Sequence, residues 1–187
     1  PTVSSPYNMY FNVSAATSVS CEFIFSSSFT NTTLLAVFVL PSTTVTVSNI
    51  ALSGVGGGNF TTLYTNTNAT TGSKVVFAYL QNVTIGAVRN LTATFSASST
   101  AVVHVFVLDG AGTISAPVAQ TFSAATSSSC SIATQADDYV LDLVVYGKST
   151  TAAPLDTVPS SQVPYIQYIY GPSPYFYASF SYQMAPS

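Results

Sequence analysis

The sequence predicts an all-β fold, a β-sandwich with immunoglobulin-like or jelly-roll topology that follows an extended N-terminal arm. Its apolar residues are mainly β-branched and aromatic, and they are interleaved with Ser and Thr, which suits the two faces of a sheet. Helix formers are scarce, with two Lys, one Arg and one Glu in 187 residues, and no 3.6-residue periodicity is sustained. Gly, Pro, Asn and Asp separate the apolar runs at short intervals, as turns do.

Apolar runs of strand length recur along the whole chain. The candidate strands are residues 18–25, 34–40, 43–52, 60–64, 74–81, 88–95, 101–108, 117–122, 139–146, 164–170 and 175–184. The clearest turns are residues 54–58, 68–72, 109–112 and 171–174. No β-α-β alternation and no repeat of solenoid length is present. We therefore expect one head domain over residues 18–187 and a separate arm over residues 1–17.

The arm has a strict period of two. Its odd positions from 7 to 15 are apolar or aromatic, whereas the even positions between them are Asn, Tyr or Ser. In an extended chain, successive side chains point to opposite faces, so one face would be buried and the other solvated. The face expected to be buried consists of Tyr7, Met9, Phe11, Val13 and Ala15.

Charged residues are rare. They make up 5% of the chain, and the formal net charge is −3. With three basic residues there is no basic patch, so nucleic acid is not an expected partner. Only six acidic groups could be protonated in acid, which suits a strongly acidic exterior. The longest apolar run, residues 34–40, is far shorter than the roughly 18 residues of a spanning helix, so membrane insertion is not expected either.

The two cysteines, Cys21 and Cys130, allow one intramolecular pairing. A disulfide between them would close a loop of about 110 residues and contribute roughly 4 to 5 kcal/mol in the chain-entropy model. Two buried free thiols are the alternative. The chain begins Pro1-Thr2-Val3, as expected of a mature product whose signal peptide has been removed. These features favour an oxidising, extracellular location.

The sequon N-x-S/T occurs more often than chance predicts. None of the copies has Pro in the middle position, and we expect most of them to carry N-linked glycans on exposed backbone. The glycans would hydrate a surface that has almost no charge. The candidate glycosylation sites are Asn12, Asn31, Asn59, Asn68, Asn82 and Asn90.

No arrangement of residues indicates catalysis or metal binding, so we expect a chain that is not an enzyme and has no cofactor besides glycans. The single histidine, His104, lies in an apolar run, and we interpret it as a half-buried structural or rim residue. Asp137, Asp138 and Asp142 form the one acidic cluster, without EF-hand spacing, and we interpret them as residues that open a strand. The aromatic residues within 165–182 suit a core, with a sugar-stacking platform or a subunit interface as alternatives.

A charge-poor, Tyr/Ser/Thr-rich β-sandwich with sequons and an alternating arm resembles the thread filament subunits of thermoacidophilic archaea. Those subunits are similar to type I pilins in architecture. Residues 34–147 also resemble secreted jelly-roll modules, on three segments: TLLAVFVL, ATFSASSTAVVHVFVLDGAG and DDYVLDLVVYG.

The thread resemblance implies donor-strand complementation, in which the N-terminal strand of one subunit fills a groove in its neighbour. Tyr7, Met9, Phe11, Val13 and Ala15 would then be the polymerisation residues. The protein would be a structural component of a pilus-like, extracellular filament at the cell surface, serving adhesion or biofilm formation. Its partners would be copies of itself and the cell or abiotic surfaces that the filament touches.

Two other classes of protein remain open. A monomeric secreted or viral jelly-roll adhesin, or a carbohydrate-binding module, would pair the arm within its own sheet. A secreted hydrolase on a jelly-roll scaffold has only one histidine and scattered carboxylates with which to act.

Overall fold

The structure is a computed structural model, and it describes most of the chain. The described residues are 7–54, 58–109, 113–115, 117–120, 129–136, 138–148, 163–170 and 175–184. Within the strands, side chains are not described for residues 7, 8, 10, 23–30, 85–87, 109, 146–148, 163–170 and 175–184.

The described residues form strands and no helix, which confirms the all-β class. The strands are β1 (Tyr7–Leu40), β2 (Val47–Leu52), β3 (Gly58–Asn59), β4 (Thr61–Asn68), β5 (Ser73–Asp109), β6 (Tyr139–Lys148), β7 (Val163–Tyr170) and β8 (Tyr175–Met184). In the part of the chain that the structure describes, no helix is long and apolar enough to cross a membrane.

The chain divides into two compact units, Pro1–Pro117 and Val118–Ser187. This division differs from the predicted one, which separated an arm of residues 1–17 from a single head domain of residues 18–187. The expected boundary at residue 17 lies inside β1, because the strand continues from the arm into the head. The second unit contains a three-stranded antiparallel sheet in the order β6-β8-β7.

The first unit is a two-layered antiparallel arrangement, consistent with the predicted sandwich. Its two long strands, β1 and β5, contribute segments to both layers because each is paired to different neighbours along its length. One layer has the spatial order 7–13, 101–109, 32–40, 73–83 and 61–68. The other has the order 16–25, 87–95, 47–52 and 58–59.

The core of this unit lies between the two layers. Alternate residues of each central strand point into it, such as Phe38 and Val105 from one layer and Leu91 from the other, all fully buried. The opposite face of residues 101–107 is also buried, since Val102 and Phe106 have no exposed surface. A strand that is buried on both faces reads as a continuous apolar run, which explains the sequence of this segment.

Two asparagines mark the bend where β1 and β5 pass from one layer to the other. Asn31 and Asn82 have φ values of 56° and 57°, in the left-handed region. The register of the β1–β5 ladder shifts between Phe29 and Thr32, next to both of them. Asparagine tolerates this conformation better than most residues with a side chain, so these positions suit the bend.

Most of the predicted strands are present, but many are joined. Residues 18–25 and 34–40 belong to one strand with the arm, and residues 74–81, 88–95 and 101–108 belong to another. Two predictions need correction. Residues 43–46 precede β2 without being part of it, and residues 117–120 form no strand. The predicted turns at 109–112 and 171–174 lie largely outside the described residues.

The side chain of the one arginine lies beside the loop after β2. The Arg89 side chain donates from Nη1 to the carbonyl oxygen of Val88 (3.3 Å) and from Nη2 to that of Thr84 (3.4 Å). Gly54, at φ +97°, lies against this guanidinium, and a Cβ built on it would come within 2.8 Å of Nη1. The loop therefore approaches Arg89 closely because residue 54 has no side chain.

Replacing Gly54 with alanine should destabilise the protein more than the same change at Gly72. Gly72 has φ +70°, at the limit of the left-handed region that residues with a side chain adopt, whereas +97° at Gly54 lies beyond it. We expect Gly72→Ala to lower the free energy of unfolding by about 1 kcal/mol and Gly54→Ala by about 2 kcal/mol. The Arg89 guanidinium adds little to the second value, because it is the end of a flexible side chain and can move away from a new methyl group. Urea unfolding measures both, and equal losses in the two variants would contradict this account.

Candidate functional site

The arm forms the edge strand of one layer and pairs with residues of its own chain. Seven consecutive residue pairs join it to β5, from Tyr7 opposite Val107 to Val13 opposite Ala101. The other side of this segment is occupied by residues 34–39 of β1, which pair with residues 102–107. Without the arm, the edge of residues 101–107 would therefore have no strand against it in the described sheet.

The side chains of the arm alternate as its period of two predicts. Met9, Phe11 and Val13 are half-buried and pack against the core, whereas Asn12 and Ser14 are exposed. Tyr7 is paired through its backbone, but its side chain lies outside the described residues. The apolar face of the arm thus covers the core at the sheet edge.

Ala15 departs from the predicted pattern. We expected it on the apolar face, but it is exposed, and Ala16 is half-buried instead. The register shifts between Val13 and Ala16 and again between Ala16 and Ser18, so the alternation is interrupted over residues 14–17. Odd positions face the core again at Val19 and Cys21.

The ladder is interrupted where the arm meets the rest of β1. After Val13 the next pairs are Ala16 with Ser99 and Ser18 with Thr94, with a register shift at each step. Residues 14–17 are the small residues Ser, Ala, Ala and Thr, and three of the four are exposed. We call residues 14–17 the hinge. Of these four residues only Ala16 has a partner on β5 in the ladder, so the pairing of β1 is sparsest here.

The edge that receives the arm was not identified from the sequence. Ala101, Val103, Val105 and Val107 point into the core and are at most 2% exposed. The apolar run of residues 101–108 indicated a buried strand, yet nothing in it indicated which neighbour lies on each side. Pairing over a separation of about ninety residues is set by the packing of the whole sheet and not by local sequence.

The predicted disulfide is absent from the structure. Cys21 and Cys130 are both free thiols. Cys21 lies in the core and is 2% exposed, and burial raises the pKa of its thiol to about 12. Cys130 is exposed, and its Sγ lies 3.8 Å from the carbonyl oxygen of Val118. Cys21 therefore acts as an apolar core residue that resists ionisation.

His104 is more deeply buried than expected. It has no exposed surface, where we expected a half-buried or rim position, and its ring stacks on Phe106 with centroids 5.8 Å apart. Burial lowers the pKa of its imidazole to about 3, so the ring is neutral over most of the pH range. A fully enclosed ring does not meet a dissolved substrate, which supports a structural role.

The six sequon asparagines differ in exposure. Asn12, Asn31, Asn59 and Asn82 are exposed, whereas Asn68 and Asn90 are half-buried. Asn68 also caps a turn, because its Oδ1 accepts hydrogen bonds from the backbone N–H groups of Thr70 (2.9 Å) and Thr71 (3.2 Å). Asn90 lies in the middle of β5 between Glu22 and the loop at Ser53. A glycan is most easily accommodated at the four exposed positions.

Two further polar side chains, one buried lysine and one member of the acidic cluster, have structural surroundings. The Lys74 ammonium is buried and donates to the carbonyl oxygen of Val45 at 2.7 Å. A carboxylate oxygen of Asp138 accepts from the backbone N–H of Gln135 at 2.7 Å, whereas Asp137 lies outside the described residues. Among the residues that the structure describes, no group of three or more His, Cys, Asp or Glu could hold a metal ion.

Comparison of the chain with protein-family models, with curated proteins and with solved structures found no match.

The buried histidine should make the protein less stable in acid. The unfolded chain binds a proton at His104 below about pH 6.5, whereas the folded chain does so only near pH 3. Stability contributed by the neutral ring is therefore present above pH 6.5 and lost as the pH falls towards 3, at up to about 1.4 kcal/mol per pH unit. Urea unfolding at several pH values measures the slope. His104→Gln should flatten it, and an unchanged slope in that variant would assign the acid sensitivity to other groups.

Glycan occupancy should follow the exposure of the asparagines. In protein from an N-glycosylating source, we expect Asn59→Gln to remove the mass of one glycan and Asn90→Gln to leave the glycan mass unchanged. Both are sequons on strands, so they form a matched pair. Peptide mass spectrometry reads the two sites directly, and an occupied Asn90 beside an unoccupied Asn59 would contradict the assignment.

Proposed function

We propose that this protein is a structural subunit of a pilus-like, extracellular filament at the cell surface, polymerising head to tail by donor-strand complementation and serving adhesion or biofilm formation. One observation carries the proposal. An N-terminal strand with one apolar face completes the sheet edge of residues 101–107, and it is joined to the head through the hinge. We assign the chain no enzymatic activity and no cofactor, and N-linked glycans would coat its surface.

The pairing of the arm within a chain and its pairing between chains use the same two segments. If the hinge opens, the arm of one copy can occupy the edge of another with the same seven pairs and the same apolar contacts. Because each copy then gives an arm in one direction and receives one from the other, the contact does not close and a filament results. This is β-augmentation, in which ladder hydrogen bonds give affinity and alternate side chains give register.

Apolar contacts supply only part of the expected free energy of the contact between copies, and ladder hydrogen bonds supply the rest. With Ala15 exposed and Met9, Phe11 and Val13 half-buried, the apolar face would contribute roughly 4 to 6 kcal/mol gross at about 25 cal/mol/Å². Ladder hydrogen bonds add about 0.5 to 1.5 kcal/mol each. Leaving the edge of residues 101–107 without a strand would expose core residues, so dissociation of an arm should be slow.

A second candidate function is a self-contained, secreted or viral jelly-roll adhesin or carbohydrate-binding module. The specific observation in its favour is the pairing of the arm within its own chain, which is the arrangement expected of a monomer. The two candidates differ in one measurable property. A filament subunit forms long assemblies at high concentration, whereas a self-contained module stays a monomer at every concentration.

The decisive test is the assembly state of the full chain and of two charge variants in the arm. Phe11→Asp places a carboxylate on the half-buried face, and Asn12→Asp places the same charge on the exposed face. In protein made without glycans, we expect filaments from the parent and from Asn12→Asp by negative-stain imaging, and none from Phe11→Asp.

The opposite outcome is equally clear. A sharp monomer on size-exclusion chromatography for the parent at high concentration, with no filament on the grid, would overturn the filament proposal in favour of the module. Filaments that form equally well with Phe11→Asp would show that the arm does not hold the subunits together.

A further inference from the structure

We infer that the outer edge of residues 101–107 is the acceptor for the arm of a second copy, in the same register that the arm adopts within its own chain. The inference rests on the proposed function and goes further, because it names the receiving strand and its residue pairs. Met9 of one copy would lie opposite Val105 of the next, and Phe11 opposite Val103.

At the edge of residues 101–107, a terminal segment of β1 covers the core. The inward side chains of residues 101–107 are at most 2% exposed, whereas the arm residues that cover them are only half-buried. The arm is the outermost strand of that layer in the described sheet, and it makes its ladder with β5 alone. Removing it disturbs no other strand pairing.

The opposite edge of the layer does not offer the same acceptor. It is formed by β4, which pairs with residues 73–79 and is continuous with its neighbour through the turn of residues 69–72. The exposed residues of β4 that the structure describes include Thr61, Thr65 and Thr67, which present hydroxyls and not an apolar pocket. An arm with an apolar face of Met, Phe and Val matches the edge of residues 101–107 and not this one.

The register is fixed by two features of the pairing. The seven pairs from Tyr7 to Val13 run without interruption, so the ladder has a single alignment. A slip of one residue would turn Asn12 and Ser14 towards the core and Phe11 towards solvent, because alternate residues face opposite sides. The arm of a second copy is therefore restricted to the same register as the arm of the same chain.

The choice between the two arrangements depends on concentration and on the hinge. Within one chain, a short connection gives the arm an effective concentration in the millimolar range when the geometry allows closure. Copies crowded together, or folding together, can exchange arms, and seven broken pairs make the exchange slow once each copy is closed. Refolding at high protein concentration should then give more assembled material than concentrating folded monomers.

The test is a disulfide between copies. In a Cys130→Ser background, one batch carries Met9→Cys and another carries Val105→Cys; Cys21 stays, because it is 2% exposed and does not react in the folded protein. The two batches are mixed unfolded in denaturant with reductant, refolded together at high concentration, and then oxidised. Since each chain has one introduced cysteine, a peptide that links positions 9 and 105 can form only between two chains.

The matched control moves the pair out of register by two residues. Phe11→Cys mixed with Val105→Cys places the two Cβ atoms on a diagonal, about 7 to 8 Å apart, which exceeds the roughly 3.5 to 4.5 Å of a disulfide. We expect the 9–105 link to form several-fold more than the 11–105 link, as read by non-reducing gels and peptide mass spectrometry.

Each result decides between the inference and the function it rests on. Filaments with a dominant 9–105 link support both. Filaments without that link, or with the 11–105 link equally abundant, overturn the acceptor edge and leave the filament function standing. Linked dimers that never extend into filaments support the acceptor edge and overturn the filament. Monomers alone, with no link between chains, overturn both.

Discussion

The edge of a sheet whose inward side chains are fully buried must be covered, and in this protein that requirement falls on residues 101–107. These residues pair with residues 34–39 on one side and with the arm on the other, and both of their faces are buried. The ladder between β1 and β5 depends on this arrangement, because loss of the arm would bring water to the core at this edge of the layer. The position of the N-terminal strand is thus a condition of the fold as well as a candidate means of assembly.

A chain with so few charges must satisfy its buried polar groups by other means. The buried Lys74 ammonium donates to the carbonyl oxygen of Val45, and the Arg89 guanidinium donates to two carbonyl oxygens of its own strand, β5. Ser and Thr hydroxyls serve the turns, as Ser42 does for the backbone N–H groups of Thr44 and Val45. Six acidic residues leave few carboxylates for acid to protonate, whereas the buried ring of His104 lowers the stability of the fold as the pH falls.

The sequence predicted what depends on local alternation and missed what depends on distant pairing. The apolar face of Met9, Phe11 and Val13 followed from the period of two. The predicted burial of Ala15 was wrong, because the register shift after Val13 has no signature in that alternation. The all-β class followed from composition. The joining of separate strands into β1 and β5 depends on how segments remote in sequence pair. No local sequence pattern specifies which remote segments pair.

Asn31 and Asn82 each combine a left-handed backbone conformation with a sequon. Replacing either asparagine therefore strains the backbone at the bend and also removes a candidate glycosylation site. At Asn82 the hydroxyl partner Thr84 is exposed, and its replacement would abolish the sequon without touching the backbone. A substitution at Thr84 therefore separates the two properties of Asn82, because it removes the sequon and leaves the left-handed asparagine in place.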